Sequence, residues 1–272
     1  MTQEAIGSIL ENKLRKQTVQ CISEHNMLKQ DDHVLVGLSG GKDSWALLHL
    51  LKMIQKKAPY RFSISAVTVD GGLIGLEGDV LQAQCDLLQI PFYLERQPVF
   101  EIVSEKKAEG STFCSMCAKM RRGILYSIAK KLGANKIALG HHLNDAIETL
   151  FLNMFYGGRM AAMPPVLKSN AGHEADIIRP MLYLTETDIE VFSLEKQFKT
   201  VGCACPVCPI HPEFDDAQTD LKRFSMKKVL KDMAKHNPQM YDHARKALKN
   251  LELDRFFMSQ SMLAKKGIEH EA

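Results

Sequence analysis

The chain has 272 residues, with 35 Lys and Arg against 32 Asp and Glu and a formal net charge of +3. That length suits one α/β domain with additions or two small domains, and so balanced a charge names no partner by itself. No apolar run approaches the roughly 20 residues needed to span a bilayer, and the opening MTQEAIGSILENKLRKQ has no apolar signal core, so a cytoplasmic protein with no membrane partner is expected.

Residues 4–30 predict a helix. Ile6, Ile9, Leu10, Leu14, Cys21 and Ile22 fall near helical spacing, Thr18 fills the gap in the stripe, and Lys13, Arg15 and Lys16 lie largely elsewhere. Those three cations are a solvated face or a contact for nucleic acid. From His33 the chain reads HVLVGLSGGKDSWALLHLL. The run Val34–Leu38 predicts a parallel strand buried on both faces, and Trp45 to Ile54 predicts a buried helix. Between them Ser39, Gly40, Gly41, Lys42, Asp43 and Ser44 form a tight turn. Two glycines let the backbone approach an anion, and the helix N-terminus and the Lys42 ammonium add positive charge. The spacing is not that of a Walker A loop, since Gly37 and Gly41 are only four apart and Asp43 follows Lys42.

A second strand is expected over 62–70, ending at Asp70, where it could meet a nucleotide or Mg²⁺ or cap the turn before Gly71. A helix over 79–88 and a strand over 91–94 continue the alternation. Residues 101–113 carry little signal and suit a mobile loop. Next comes CSMCAKMRRGILY, with Cys114 and Cys117 at the start of a helix and five basic residues but no acidic one between Thr112 and Lys131. Such a CxxC can place two thiolates on one metal, with the helix N-terminus and neighbouring cations lowering their pKa.

A short strand over 136–139 precedes GHHLNDAIETLFLNMFYGG, whose helix is expected to stop at Gly157-Gly158. This second strand-turn-helix unit puts His142 and Asp145 at the ligand edge. A strand over 176–181 carries Arg179, suited to a phosphate or an ion pair, and a capped helix follows over 185–198. The segment GCACPVCP holds Cys203, Cys205 and Cys208 and is too rich in Cys and Pro for a helix. Residues 215–251 read as helical, with nine basic residues against Asp232 and Asp242 between Lys222 and Lys249, an excess that suits phosphate backbones. Of the seven cysteines, Cys21 and Cys85 stand alone, and the rest form two clusters that suggest a metal.

SGGKDS after a buried strand resembles the loop of the PP-loop ATP pyrophosphatase superfamily. With CSMCAKMRRGILY, GHHLNDAIETLFLNMFYGG, IRP at 178–180 and CPVC at 205–208, the chain resembles one branch of it, the tRNA 2-thiocytidine synthetases. The resemblance implies a doubly wound, Rossmann-like parallel α/β sheet with helical additions. Its domains would be an N-terminal helix over 1–30, a PP-loop domain over 31–200, and a Cys-containing loop with basic helices over 201–272.

It further implies sulfur insertion at an anticodon-loop cytidine of tRNA, with ATP, Mg²⁺ and a [4Fe-4S] cluster. Ser39, Gly40, Gly41, Lys42, Asp43, Ser44, Asp70 and His142 would serve the nucleotide, and Lys42 and Asp145 the chemistry. Cys114, Cys117 and Cys208 would hold the cluster, with Cys203 and Cys205 as alternatives for the third position. Asn144 stands where members commonly have Asp. Expected partners are tRNA and a sulfur donor such as a cysteine desulfurase, with a homodimer left open. Competing readings are thiolation of a tRNA uridine, and a non-catalytic nucleotide- and RNA-binding module in which Cys114, Cys117, Cys205 and Cys208 hold a structural zinc.

Overall fold

A computed structural model describes residues 3–71, 78–105, 113–169, 174–201 and 221–252, with backbone alone over 3–8, 113–115 and 221. In chain order the elements are α1 (Gln3–Glu24), β1 (His33–Gly37), α2 (Lys42–Gln55), β2 (Ser63–Asp70), α3 (Gly78–Leu87), β3 (Phe92–Arg96), α4 (Val99–Glu105) and α5 (Phe113–Leu132). There follow β4 (Lys136–Ala138), α6 (Leu143–Gly157), β5 (Val166–Leu167), β6 (Asp176–Ile178), α7 (Glu186–Glu195), α8 (Leu221–His236) and α9 (Met240–Ala247).

The strands form one sheet in the order β3-β2-β1-β4-β6-β5. All pairings are parallel except β5 with β6. β1 therefore leads to β2 on one side while β4 pairs with its other edge, and strand order reverses at the β1/β4 boundary. Open α/β sheets bind ligands at the carboxyl ends of strands flanking such a reversal.

The apolar run of β1 divides between two cores. Val34 and Val36 join Trp45, Leu47, Leu48 and Leu51 of α2, whereas Leu35 faces Leu125, Ile128 and Ala129 of α5. This alternation is that of a strand covered on both faces. Leu14, Cys21 and Ile22 of α1 are part of the first core, and Thr18 is buried among them with its hydroxyl donating to the Leu14 carbonyl at 2.8 Å. Lys13 pairs with Asp188 of α7 at 2.8 Å, so at least this cation of α1 is committed to the fold. Burial pushes the Cys21 and Cys85 thiols up to about 12, making both inert core groups.

Three details depart from the expected pattern. Residues 99–105 form α4, where a mobile loop was expected from 101 onward; Val99 and Val103, one turn apart, are buried against Met116 and Met120 of α5. The pair β5/β6 adds an antiparallel edge too short to carry a periodic signal. The basic C-terminal helix is two helices, broken at Asn237-Pro238 because proline cannot continue the hydrogen-bond ladder. The expected end of α6 is present, with Gly158 left-handed at φ 59°.

Gly140, just after β4, lies against the backbone where the loop after β1 enters α2. A Cβ at Gly140 would stand 3.1 Å from the carbonyl carbon and oxygen of Asp43 and from the Ser44 nitrogen. Backbone cannot yield as a side-chain tip can. Gly140→Ala is expected to lower stability by roughly 1–3 kcal/mol, read as a lower denaturant midpoint at unchanged slope.

Candidate active site at the sheet reversal

The loop after β1 is held open by its own serines. Ser39 donates to Ser44 Oγ at 3.2 Å and accepts the Gly41 N–H at 3.4 Å, while the Ser44 hydroxyl donates to the Gly41 carbonyl at 2.9 Å. Gly40 has φ 80°, and its carbonyl accepts the Val201 N–H at 3.0 Å, tying the loop to the chain beyond α7. Gly41 precedes α2 and has no side chain with which to cap it. The first-turn N–H groups of Lys42, Asp43 and Ser44 are thus available to an anion.

The loop after β4 supplies the opposite wall. His142 is buried, and its backbone N–H donates to Asp145 Oδ2 at 3.0 Å. Its Nε2 lies 3.6 Å from the same oxygen and 4.0 Å from Asp43 Oδ1, so it stands between the two carboxylates. His141 turns the other way and lines the cavity. Burial, reinforced by Arg179, Arg223 and His142, depresses it to about 4 against the opposing pull of Asp145, and its ring is neutral at physiological pH.

Between the loops lies a cavity of about 610 Å³, within the usual range for small-molecule sites. Ser39, Asp43 and Ser44 line one side, Asp145 the other, and Ala118, Arg121, Arg122 and Leu125 of α5 form a third wall. Four guanidiniums, of Arg121, Arg122, Arg179 and Arg223, face it against the carboxylates of Asp43 and Asp145. Arg179 is 6% exposed; one guanidinium nitrogen donates to the Pro164 carbonyl at 2.6 Å, and its buried Nε has no hydrogen-bond partner among the described residues. Burial, with Arg122 nearby, lowers it to about 10, which leaves it charged at neutral pH. A positive, partly apolar cavity beside a helix N-terminus is suited to a nucleoside polyphosphate.

Asp70 does not line this cavity. Val67 and Val69 of β2 do, and Asp70 points to the other face, with Arg96 of β3 at 3.7 Å. Cys114 and Cys117 lie in the first turn of α5, three residues apart and so on neighbouring positions of one face. Cys117 is partly buried against an apolar cluster with Val99, Val103, Met116 and Met120. Arg121, one turn further, lines the cavity, which places the thiol helix at its rim. The side chain of Cys114 and all of Cys203, Cys205 and Cys208 lie outside the described residues.

Residues 10–201 match the family model of the PP-loop domain. A "tRNA-cytidine(32) 2-sulfurtransferase" of Geobacter sulfurreducens is 38% identical over 249 residues, covering 92% of this chain and 93% of that protein. One of the same description from Bordetella avium is 46% identical over 197 residues, 72% of this chain and 62% of that protein. The chain belongs to the PP-loop family, in its tRNA-cytidine(32) 2-sulfurtransferase branch. Among solved structures, the U34-tRNA thiolase NcsA of Methanococcus maripaludis, with its [4Fe-4S] cluster, superposes with a TM-score of 0.68 at 20% identity over 93% of this chain and 85% of that one. That likeness establishes the shared fold.

In this PP-loop protein the basic C-terminal region is partly an internal counter-charge, a role that the sequence reading did not assign. Arg223 of α8 pairs with Asp145 at 3.0 Å and Glu148 at 3.3 Å. Lys227 and Lys231 reach Glu186 at 2.7 and 3.7 Å, and Glu186 also lies 3.6 Å from Lys42, whose ammonium contacts Asp43 at 2.9 Å. Lys235, Arg245, Lys246 and Lys249 pair with Asp232, Asp242 and Glu24. The available signal was a stripe, since Arg223, Lys227 and Lys231 recur every four residues beside Met226 and Leu230, which are buried against α6. Asn144 is explained as well: buried, it accepts the Glu186 backbone N–H at 2.9 Å and joins α6 to α7.

Burial alone would raise the Glu186 carboxyl, but the Lys227 hydrogen bond and the charges of Lys227, Lys42 and Lys231 hold it at about 2. With the folded value below the ordinary 4.5, its contribution to stability is fully present above about pH 4.5 and is lost as pH falls toward 2. Glu186→Gln should therefore be less stable than the parent at pH 7, and the gap should close as pH falls from about 4.5 to 2. Denaturant midpoints of the two proteins across that range test it.

Proposed function

We propose that this protein is an ATP-dependent tRNA sulfurtransferase that converts an anticodon-loop cytidine to 2-thiocytidine. The observation that carries the reading is that the N-terminal turn of α2 and the face of α5 just past its CxxC, from Ala118 to Leu125, line one cavity with four arginines at the reversal of the sheet. On this reading an activating site for phosphate and a site for sulfur chemistry would both lie near one bound base. Curated relatives named tRNA-cytidine(32) 2-sulfurtransferases support the same assignment.

The chemistry explains the residue types. The C2 oxygen of cytosine is a poor leaving group, and its attack on the α-phosphorus of ATP, with release of pyrophosphate, converts it to AMP. Ser39, the N–H groups of the loop from Gly40 to Ser44 and the Lys42 ammonium would hold the phosphates and stabilise the charge that develops on them. Asp43 and Asp145, both on the cavity, are suited to Mg²⁺, and Asp145 to the reacting centre. Lys42 would leave its Asp43 and Glu186 contacts for phosphate, with Glu186 keeping Lys227 and Lys231 as partners. His142 orients this edge from between Asp43 and Asp145. Asp70 is proposed only for the outer edge of the nucleotide, given its direction away from the cavity.

Cys114, Cys117 and Cys208 are the proposed ligands of a [4Fe-4S] cluster. The described part of that set fits: two cysteine positions three residues apart at a helix start, an apolar shell around Cys117, and a cationic helix face beyond. When bound, the cluster would supply an iron without a cysteine ligand to carry the incoming sulfur. A cysteine desulfurase as sulfur donor and a homodimer belong to the same proposal.

Lys42→Ala is expected to slow tRNA-dependent pyrophosphate release roughly 10²–10³-fold, in the range of losing one donor to a developing charge. A wild-type rate would remove Lys42 from the chemistry. Cys117→Ala, purified anaerobically, should lose iron, inorganic sulfide and thiolation while binding ATP as the parent does; full thiolation would defeat the cluster, and stoichiometric zinc in the parent would favour a structural metal. Nucleoside mass spectrometry of tRNA from cells lacking and regaining this chain identifies the base. Restored 2-thiocytidine supports the proposal, whereas restored 2-thiouridine would replace it with the uridine reading.

A further inference from the structure

Beyond the cavity, the end of α6 exposes six residues in succession, Phe155-Tyr156-Gly157-Gly158-Arg159-Met160. Phe155 is 63% exposed, Tyr156 54% and Met160 56%. Single exposed apolar side chains are ordinary, but two adjacent rings and a methionine exposed within one six-residue run suit a contact surface. This strip is also held in shape. Phe155 leans on the half-buried Phe151 ring at 5.8 Å between centroids. Asn153 accepts from the Arg159 guanidinium at 3.0 and 3.1 Å, its carbonyl accepts the Arg159 N–H at 3.0 Å, and its amide donates to the Ala161 carbonyl at 2.6 Å.

The chemistry around the strip selects its partner. No acidic residue occurs from Thr149 to Lys168 or from Leu221 to Lys231, the two stretches that meet here. The Lys222 ammonium lies over the Tyr156 ring, 5.1 Å from its centroid. The next residue of α8, Arg223, and Met163, three residues past the strip, both line the cavity, so the chain passes from the strip to the cavity lining within a few residues on both sides. We propose that Phe155, Tyr156 and Met160, flanked by Arg159 and Lys222, form a stacking platform for unpaired bases of an RNA loop whose reacting base occupies the cavity. Exposed rings among cations are how proteins hold unstacked bases and the adjoining phosphates. A second copy of this chain is disfavoured, since a symmetric contact would press Arg159 and Lys222 toward their own counterparts.

The inference rests on the tRNA reading above, and the experiment separates the two. Binding of an RNA stem-loop and of the same stem closed as a duplex would be measured at several salt concentrations for the parent, Tyr156→Ala, Phe155→Ala, Tyr156→Phe and Lys222→Ala. Both aromatic-to-alanine variants should bind the stem-loop about tenfold or more weakly, with an unchanged salt slope, unchanged affinity for the duplex and parental melting temperature and ATP binding. Tyr156→Phe should stay within about twofold of the parent, and Lys222→Ala should reduce the salt slope by roughly one. Parental stem-loop affinity in both alanine variants would overturn the platform while leaving the sulfurtransferase reading intact, as would their loss of a dimer that the parent forms in sedimentation velocity. Failure of the parent itself to bind the stem-loop would instead count against the tRNA reading.

Discussion

The contact between Gly140 and the Asp43–Ser44 backbone is the constraint on which the site depends. It joins the loops after β1 and β4, the two strands between which the order of the sheet reverses. Were either loop a side chain's width further out, the α2 N-terminus and the His142/Asp145 edge would no longer border one cavity. The hydrophobic cores on the two faces hold the strands, but this backbone contact sets the spacing of the chemical groups, because backbone against backbone leaves no slack for a side chain to absorb.

Around that contact the protein concentrates charge. Asp43, Asp145, Glu148 and Glu186 would repel one another in a half-buried site, and α8 answers with Arg223, Lys227 and Lys231, with Lys42 between. The arrangement costs desolvation on both sides and is held by geometry rather than by Coulomb gain alone. One consequence concerns Lys42. Its ammonium already sits among carboxylates, so under the proposed function an arriving phosphate would exchange one set of anionic partners for another.

Much of this was legible in the amino-acid pattern, for identifiable reasons. Val34–Leu38 followed by SGGKDS predicts a buried strand and an anion loop because both signals are local: burial on two faces removes polar residues, and a close backbone approach demands glycine. The CxxC at the start of α5 and the glycine stop of α6 are local as well. Residues 99–105 were obscure because a seven-residue helix with only Val99 and Val103 buried leaves almost no period to detect. Asp70 sits at the expected strand end, yet the one-residue alternation of a strand turns it away from the cavity that Val67 and Val69 line, and its neighbours across the sheet set that phase.

The sequence by itself determined the α/β alternation, the anion loop and the pairing of thiols at a helix start, since each depends on residues within a turn or two of one another. Only the tertiary structure decided which charges meet. Nothing between residues 145 and 223 indicates that Asp145 and Arg223 will lie 3.0 Å apart, or that Glu186 will gather Lys42, Lys227 and Lys231. Ion pairs between distant segments have no sequence period: they follow from where helices pack, and α8 packs through Met226 and Leu230 onto α6. A basic stretch that reads as a nucleic-acid contact thus becomes, over part of its length, the counter-charge to carboxylates in and beside the candidate cavity.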